Sequence, residues 1–189
     1  NDLVISGHMS VFEHASFTFG IEDVSRECSH QLVRHRIASF SQQSLRYTKA
    51  QESAFRIPAS VHENSGFNAV WQNTIETLYK TYSELISSGV PKEDARGLLP
   101  MCTTSNLVMT MNARELLHFF ELRTCNRAQE EIRKIAVRML WLLLQENKQL
   151  FKYGGPYCML HGGTCNEVKS CGKRYKGQEE MFRDYGLEI

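Results

Sequence analysis

Apolar residues recur at intervals of three or four in two long stretches of the chain, the spacing that places side chains on one face of an α-helix. The first stretch, 73–89, ends at Gly89 with Pro91 shortly after it, which is a common way for a helix to stop. The second stretch, 126–147, predicts a longer helix. The expected core-facing residues are Ile75, Leu78, Tyr79, Tyr82, Leu85 and Ile86 in the first helix, and Ile132, Ile135, Ala136, Met139, Leu140 and Leu143 in the second.

Polar residues predict where helices begin. Asn112 is followed three positions later by Glu115, and Asn126 by Gln129, a pattern in which two side chains cap a helix start reciprocally. Asp23 is expected to cap a further helix that ends near residue 34. The predicted helices in the second half of the chain are 92–99, 112–123 and 126–147.

The remaining segments have the composition of strands and loops. Aromatic and β-branched residues predict strands at 17–21 and 103–111, while 36–50 is expected to be a loop followed by a strand. Irregular structure is predicted for 51–70. The chain is therefore expected to adopt an α+β fold, with helices packed on a small, mostly antiparallel sheet in a single domain. That domain would span 1–153, and 154–189, rich in Cys, Gly and Lys, would be an appendage.

Composition and charge exclude several classes of protein. The chain has 189 residues, 42% of them hydrophobic and 23% charged, as in an ordinary globular protein. A net charge of only +1 argues against a general nucleic-acid binder, which would be strongly basic. The longest apolar run, Ile135–Leu144, is interrupted by Arg138, so no membrane span is expected. Isolated cysteines such as Cys28, Cys102 and Cys125 indicate a reducing, cytoplasmic location.

A cationic segment at 34–47 carries the strongest chemical signal. Arg34, His35 and Arg36 stand in a row, hydroxyls and amides follow, and the next acidic residue after the triplet is Glu52. One interpretation is a solvated basic loop, and another is an RNA-binding module. The interpretation that best fits a cationic segment with so few acidic residues is a local site for a phosphate-bearing ligand. Arginine suits such a site because its guanidinium offers two parallel hydrogen-bond donors to phosphate.

A second cluster of reactive side chains lies in the C-terminal segment. Cys158, His161, Cys165 and Cys171 could supply the four ligands of a tetrahedral zinc site. Their spacing is not that of a standard zinc knuckle, and free thiols in a glycine-rich segment are the alternative. No metal is expected unless this candidate zinc site is real.

Four ordered blocks of the sequence resemble the flavin-dependent thymidylate synthases. The triplet Arg34-His35-Arg36, seven residues and Ser44 match the RHR-x7-S signature of that family. The resemblance covers residues 1–150. The other matching blocks are 6–19, 99–100 and 112–132.

The resemblance implies an activity and its co-substrates. Members of the family convert dUMP to dTMP, taking a one-carbon unit from methylenetetrahydrofolate and reducing equivalents from NADPH through FAD. They are homotetramers whose active sites are shared between subunits, and no enzyme cysteine attacks the uracil. A homologue that binds flavin and nucleotide without catalysis is the alternative. The family also implies further residues ahead of the block that starts at Ser6, including a first strand, and a chain without that strand would expose a sheet edge.

The resemblance also implies roles for individual residues, with His8 near the flavin and His14 left as a structural residue. The residues placed at FAD by the resemblance are Ser10, Arg34, His35, Arg36, Gln42, Asn112, Ala113, Arg114 and His118. The residues placed at dUMP are Gln31, Arg34, Gln42, Ser44, Arg46, Arg96 and Arg123.

Two of these residues raise specific questions. Many family members have Glu where this chain has Gln42, so a negative charge is missing although an amide can still donate and accept hydrogen bonds. Arg123 is implied to be catalytic, because a guanidinium stabilises the negative charge that develops on uracil during hydride addition. Without the resemblance, an Arg near a helix C-terminus would be interpreted as a favourable partner of the helix dipole.

Overall fold

The computed structural model describes residues 3–51 and 54–188. No helix in this part of the chain is long and apolar enough to cross a membrane. Short 3-10 helices lie at Met9–His14 and Arg96–Leu98. The strands are β1 (Ser16–Ser25), β2 (Ala38–Gln42) and β3 (Thr104–Asn112). The α-helices are α1 (Arg26–Leu32), α2 (Ala59–His62), α3 (Ser65–Ser87), α4 (Lys92–Ala95), α5 (Ala113–Arg123), α6 (Glu130–Phe151), α7 (Tyr157–Leu160) and α8 (Gln178–Arg183).

The strands form a three-stranded antiparallel sheet in the order β1-β3-β2. In the central strand β3, the side chains of Leu107, Met109 and Met111 are buried, whereas Asn106 and Val108 are exposed. This alternation is what a strand with one covered face produces. The predicted α+β class, with helices packed on a small antiparallel sheet, is confirmed.

The chain divides into two compact units. Unit 1 contains the described residues of Asn1–Phe19, His35–Ser39 and Thr110–Ile189. Unit 2 contains those of Gly20–Arg34 and Phe40–Met109. Residues 154–188 cluster with unit 1 and do not form a unit of their own.

The core of unit 1 is aromatic. Phe120 of α5 and Phe151 of α6 are fully buried, with ring centroids 6.2 Å apart in an edge-to-face arrangement. Phe17 of β1 packs against Phe151 in the same way at 5.2 Å. Edge-to-face aromatic pairs add to the stability of a core, over and above the contribution of the apolar surface that they bury. Helices α5 and α6 are thereby fixed against β1.

The core of unit 2 forms around Tyr82 of α3, which is fully buried. Its hydroxyl accepts a hydrogen bond from the amide of Ala50 at 3.2 Å, and the hydroxyl of Tyr79 donates to the carbonyl of Ala50 at 3.3 Å. Burying a tyrosine is favourable when its hydroxyl has a partner in this way. The other members of this cluster are Leu45, Ala95, Leu85, Ile86, Val90 and Leu99.

The predicted cap of α1 is wrong. Asp23 lies inside β1 with a φ of 52°, and its amide donates to Oδ1 of Asn106 at 3.1 Å. The helix starts three residues later, where Oγ of Ser25 accepts from the amide of Cys28 at 3.0 Å. Ser and Asp are both good caps, and the strand extends far enough to leave the role to Ser25.

Two further predicted boundaries are also wrong. In 36–50 the strand comes first, as β2 at Ala38–Gln42, and turns follow it. Within the predicted irregular segment, α3 already begins at Ser65, eight residues before the predicted start. Its cap is Asn64, whose Oδ1 accepts from the amide of Phe67 at 3.1 Å. A side-chain cap lets the helix start among residues whose apolar spacing is weak.

The predicted start of α6 is wrong as well, because the helix begins at Glu130 with Gln129 at the cap position. Oδ1 of Asn126 instead accepts from the hydroxyl of Tyr175 at 3.2 Å. The predicted end at Asn147 coincides with a non-helical backbone at that residue (φ −150°, ψ 79°), beyond which the helix continues to Phe151. The predicted helix is confirmed in its central part.

Candidate functional site

Unit 1 contains eight of the predicted site residues, and three of them, Asn112, Ala113 and Arg114, lie at the start of α5. Asn112 ends β3 and caps α5, with Oδ1 accepting from the amide of Glu115 at 2.9 Å. The amide of Ala113 donates to the carbonyl of Ala15 at 2.8 Å. Two of the first amides of α5 are thus used inside the protein. The predicted cap is confirmed, but the side chain of Glu115 does not return to the cap as the reciprocal pattern requires.

The side chain of Glu115 is instead buried against His35. Its Oε1 lies 3.1 Å from Nδ1 of His35, and the exposed fractions of the two residues are 7% and 5%. On the other side of the ring, Nε of Arg123 donates to Nε2 of His35 at 3.0 Å. Three charged or titratable side chains, separated by up to 88 residues in sequence, therefore form one connected chain. We call this the Glu115–His35–Arg123 chain.

The imidazole of His35 has a lowered pKa in this environment. Burial is the largest cause of the lowered pKa, and electrostatic interactions with Arg123 and His118 act in the same direction. The hydrogen bond to Glu115 opposes this shift without reversing it. The ring of Phe119 lies edge-on to the imidazole at 5.0 Å between centroids. His35 is therefore neutral at neutral pH, as burial of an unneutralised imidazolium would be costly.

A cavity of about 1030 Å³ lies in unit 1 beside this chain. Three predicted flavin-binding residues, Asn112, Arg114 and His118, line it. Glu115 and Glu121 also line it, together with apolar side chains. The apolar part of the wall consists of Val4, Ile5, Met9, Ile37, Leu117, Tyr153 and Leu160. A large concave site with apolar walls and few polar groups is the usual form of a cofactor pocket.

Of the other predicted flavin-binding residues of unit 1, His35 and Ala113 are buried and two lie at the surface. Ser10 and Arg36 are exposed. Arg114 forms an ion pair with Glu13, a residue that sequence reasoning did not assign to the site. This pair holds a guanidinium at the rim of the cavity, because Glu13 lines the cavity as well.

Unit 2 contains the other six predicted residues. Gln42, at the end of β2, is half-buried, and its amide nitrogen donates to Oγ of Ser29 at 3.0 Å and Oγ of Ser105 at 2.8 Å. Both donors of the amide are therefore used to join three elements. Neither serine could be assigned this role from sequence, because Ser29 and Ser105 are 13 and 63 residues away from Gln42.

Arg46 is oriented by an acidic partner in unit 2. Its Nε and terminal nitrogen donate to Oε2 of Glu93 at 3.1 and 2.8 Å. The Nε of Arg96 donates to the backbone carbonyl of Glu93 at 3.2 Å. Two predicted nucleotide-binding arginines therefore converge on one residue at the start of α4. Arg34 is exposed, and Gln31 and Ser44 are half-buried.

The structure does not bring the four predicted zinc ligands together. His161 stacks on Tyr157 with a centroid distance of 3.9 Å and lines the large cavity of unit 1. Cys158, Cys165 and Cys171 line a different, smaller cavity. Among the described residues, no group of three or more His, Cys, Asp or Glu side chains is arranged to hold a metal ion.

Comparison with known proteins places these features in a family. The family model described as thymidylate synthase complementing protein matches residues 1–146. A flavin-dependent thymidylate synthase of Geobacter sulfurreducens is 46% identical over 96% of this chain and 78% of its own length. A second, from Saccharolobus solfataricus, is 45% identical over 100% of this chain and 71% of its own length.

A solved structure agrees with the sequence comparison. The UMP/dUMP methylase PolB from Streptomyces cacaoi, determined with 5-Br dUMP bound, matches with a TM-score of 0.74 and 28% sequence identity. The match covers 80% of this chain and 76% of that chain. Sequence, family model and fold agree, and the chain belongs to the thymidylate synthase complementing protein family, that of the flavin-dependent thymidylate synthases.

Proposed function

We propose that this chain is a flavin-dependent thymidylate synthase that converts dUMP to dTMP. The one-carbon unit comes from methylenetetrahydrofolate, and the reducing equivalents come from NADPH through FAD. The observation that carries the proposal is the cavity of unit 1, where three residues predicted for flavin line one wall and the Glu115–His35–Arg123 chain lies beside them.

The donor set of this cavity fits FAD. Arg114 offers a cation for a pyrophosphate, Asn112 and His118 offer polar atoms, and apolar side chains such as Leu117 suit a flavin ring. When bound and reduced by NADPH, the flavin would supply the hydride for the nucleotide. The protein's contribution is to hold the reactants and to exclude water from the reacting atoms.

Arg123 is the residue that we propose activates the uracil. Hydride addition to the ring builds negative charge on its carbonyl oxygens, and a guanidinium beside them lowers the energy of that charge. Arg123 is half-buried, so its charge is less screened than at a fully exposed site. Its Nε is already fixed by His35, which limits the directions in which the guanidinium can point.

In unit 2, we propose that Arg34, Arg46, Ser44 and Arg96 bind the nucleotide, with Gln31 and Gln42 contributing polar contacts. Arg46 keeps its orientation through Glu93, which suits recognition of a phosphate by a fixed fork of donors. Cys28 and Cys102 are buried and neither is joined in a disulfide within the described part of the chain, which fits a reducing compartment, and we propose a cytoplasmic location.

The activity can be tested with the purified chain, its proposed cofactor and its proposed substrates. We expect flavin absorbance after loading with FAD, bleaching under anaerobic NADPH, and dTMP only when dUMP and methylenetetrahydrofolate are both added. Flavin that binds and bleaches without dTMP formation would identify a homologue that has lost catalysis. Absence of flavin binding would overturn the proposal.

We also propose that the chain assembles as a homotetramer. In unit 2, an apolar groove of about 410 Å³ follows α3. Phe67 and Val70 on its rim are 67% and 66% exposed. Nε1 of Trp71 and Oδ1 of Asn68 are buried without a hydrogen-bond partner among the described residues. Further copies of the chain would cover such a face, since exposed apolar patches of this kind mark interfaces.

Light scattering of the full chain measures the assembly directly. We expect the mass of four chains for the wild type and a smaller species for Val70→Lys, because a charge on the groove rim opposes burial. Val168→Lys is the matched control, since Val168 is fully exposed elsewhere and its substitution should leave the mass unchanged. A wild-type monomer would refute the tetramer.

A further inference from the structure

The Glu115–His35–Arg123 chain fixes which nitrogen of His35 carries the proton. An arginine Nε always carries a hydrogen, so the contact at 3.0 Å requires Nε2 of His35 to accept. A neutral imidazole that accepts at Nε2 must carry its hydrogen on Nδ1. That hydrogen points to the carboxylate of Glu115 at 3.1 Å. The tautomer follows from geometry, and the lowered pKa of His35 agrees with a neutral ring.

We propose that Glu115 and His35 are positioning residues that hold Arg123 in its catalytic orientation. Glu115 selects the Nδ1–H tautomer of His35, and that tautomer provides the lone pair that binds Nε of Arg123. This inference rests on the proposed function, because it assigns a purpose to the orientation of the arginine. It also gives His35, the middle residue of the cationic triplet, a role other than direct contact with phosphate.

Burial supports a positioning role rather than a ligand-binding one. His35 is 5% exposed, and both of its ring nitrogens are engaged by protein atoms. Arg36, its neighbour in the triplet, is exposed and thus accessible to a ligand. The triplet therefore contains side chains of two kinds, and the histidine acts through Arg123.

Helix α5 supplies two of the three members and sets their separation. Glu115 lies in its first turn and Arg123 is its last residue. The imidazole lies between the two side chains and connects them. A rigid helix, with the imidazole of His35 between its two side chains, restricts the position of the guanidinium more than a loop would. Displacement of a catalytic group by about 1 Å can lower the rate roughly a hundredfold.

Glu115→Gln tests the idea with little change of shape. The amide of residue 115 still caps α5, because the cap uses only its backbone nitrogen. An amide side chain can either donate or accept, so it no longer selects one tautomer. We expect kcat for dTMP formation to fall roughly tenfold to a hundredfold, with a smaller change in KM for dUMP. Glu115→Asp should recover part of kcat.

The pH profile provides a second readout that a purely structural role would not change. Protonation of His35 removes the acceptor for Arg123, so kcat should fall as pH drops through the pKa of His35. The groups facing His35 are Glu115, Arg123 and His118, and only Glu115 raises that pKa. In Glu115→Gln the acid limb of the kcat profile should therefore move to lower pH.

Glu130→Gln is the matched control, because Glu130 pairs with Lys134 on the outer surface of α6. It should leave kcat and the acid limb of the pH profile unchanged.

Nitrogen-15 NMR of the histidine rings of the wild type tests the tautomer without an activity measurement. The His35→Gln variant serves only to assign the signal of His35. A hydrogen on Nε2 of His35, or a Glu115→Gln enzyme with wild-type kcat and pH profile, would overturn the inference. Failure of the wild type to form dTMP would refute the proposed function while the tautomer remains measurable.

Discussion

Gln42 shows how the hydrogen-bond partners of a single residue can require its side chain to be an amide. The hydroxyl of Ser29 donates to the carbonyl of Arg26 at 3.1 Å, so its oxygen is left to accept from Gln42. The amide of Gln42 also donates to Ser105. A carboxylate has no hydrogen to donate, and this chain has an amide where two donors are needed.

We predict that Gln42→Glu destabilises the protein. The hydroxyl of Ser29 already donates its only hydrogen to the carbonyl of Arg26, so it could not donate to a carboxylate at position 42. A buried polar group left without a hydrogen-bond partner costs about 1–3 kcal/mol. Urea unfolding of both proteins would measure the difference in the free energy of unfolding. Gln43→Glu is the neighbouring control, because Oε1 of Gln43 accepts from the amide of Asn106 at 3.3 Å and a carboxylate keeps that function. Equal stability of Gln42→Glu and wild type would show that the serines can reorganise.

We predict that Arg123→Ala lowers the rate of dTMP formation by about 10²- to 10³-fold, the usual effect of removing one transition-state donor. Bound flavin should remain, which absorbance at saturating FAD would check. Arg123→Lys should also lower the rate, because a lysine has one terminal amino group and lacks the separate Nε that donates to His35. Arg127→Ala, which removes a surface partner of Glu167, should retain wild-type turnover. Normal turnover of Arg123→Ala would exclude the activating role.

Among the elements, the start of α5 is determined by a local interaction. Asn112 and the amide of Glu115 are three residues apart, and the cap forms from that short segment alone. The similar pair Asn126 and Gln129 does not cap α6. Asn126 is bound by Tyr175, a residue 49 positions away that no local pattern can reveal.

We predict that Asn112→Ala lowers the free energy of unfolding by about 0.5–2 kcal/mol, because the amide of Glu115 loses its acceptor. Asn112→Asp retains an oxygen at the cap and should lose little. Chemical unfolding monitored by circular dichroism would separate the two variants. An unchanged midpoint for Asn112→Ala would show that the cap adds nothing to stability.

The same distinction separates what sequence could and could not predict. Local signals identified the helical core of 126–147, the strand that ends near Met111 and the cap at Asn112. They missed the early start of α3, where apolar spacing is weak. They could not find the role of Glu115, because its partner His35 is 80 residues away and the pattern around Glu115 indicates a helix cap.

At the scale of the whole molecule, the C-terminal segment packs as part of unit 1. Tyr175, Met181 and Phe182 are buried. The side-chain amide of Gln178 donates to the carbonyls of Phe151 and Gly154 at 2.9 and 2.7 Å. A segment so rich in Gly and Cys is thus held by a few apolar anchors and by hydrogen bonds to the end of α6.

We predict that Phe182→Ala lowers the free energy of unfolding by about 3–5 kcal/mol, as expected when a fully buried aromatic side chain is removed. Val168→Ala, in the same segment but fully exposed, should change it by less than about 0.5 kcal/mol. Thermal unfolding of the three proteins would measure the difference. Equal effects of the two substitutions would mean that the segment is an appendage without a share in the core.

The cavity of unit 1 has one further consequence, for inhibitor selectivity. The family model matches residues up to 146, yet Tyr153, Leu160 and His161 form part of the cavity wall. These three residues of the wall therefore lie outside the part of the chain that the family model matches. Because a compound extended from Asn112 towards His161 would contact both parts of the wall, comparing its inhibition of this chain and of a relative is expected to show whether 153–161 sets selectivity.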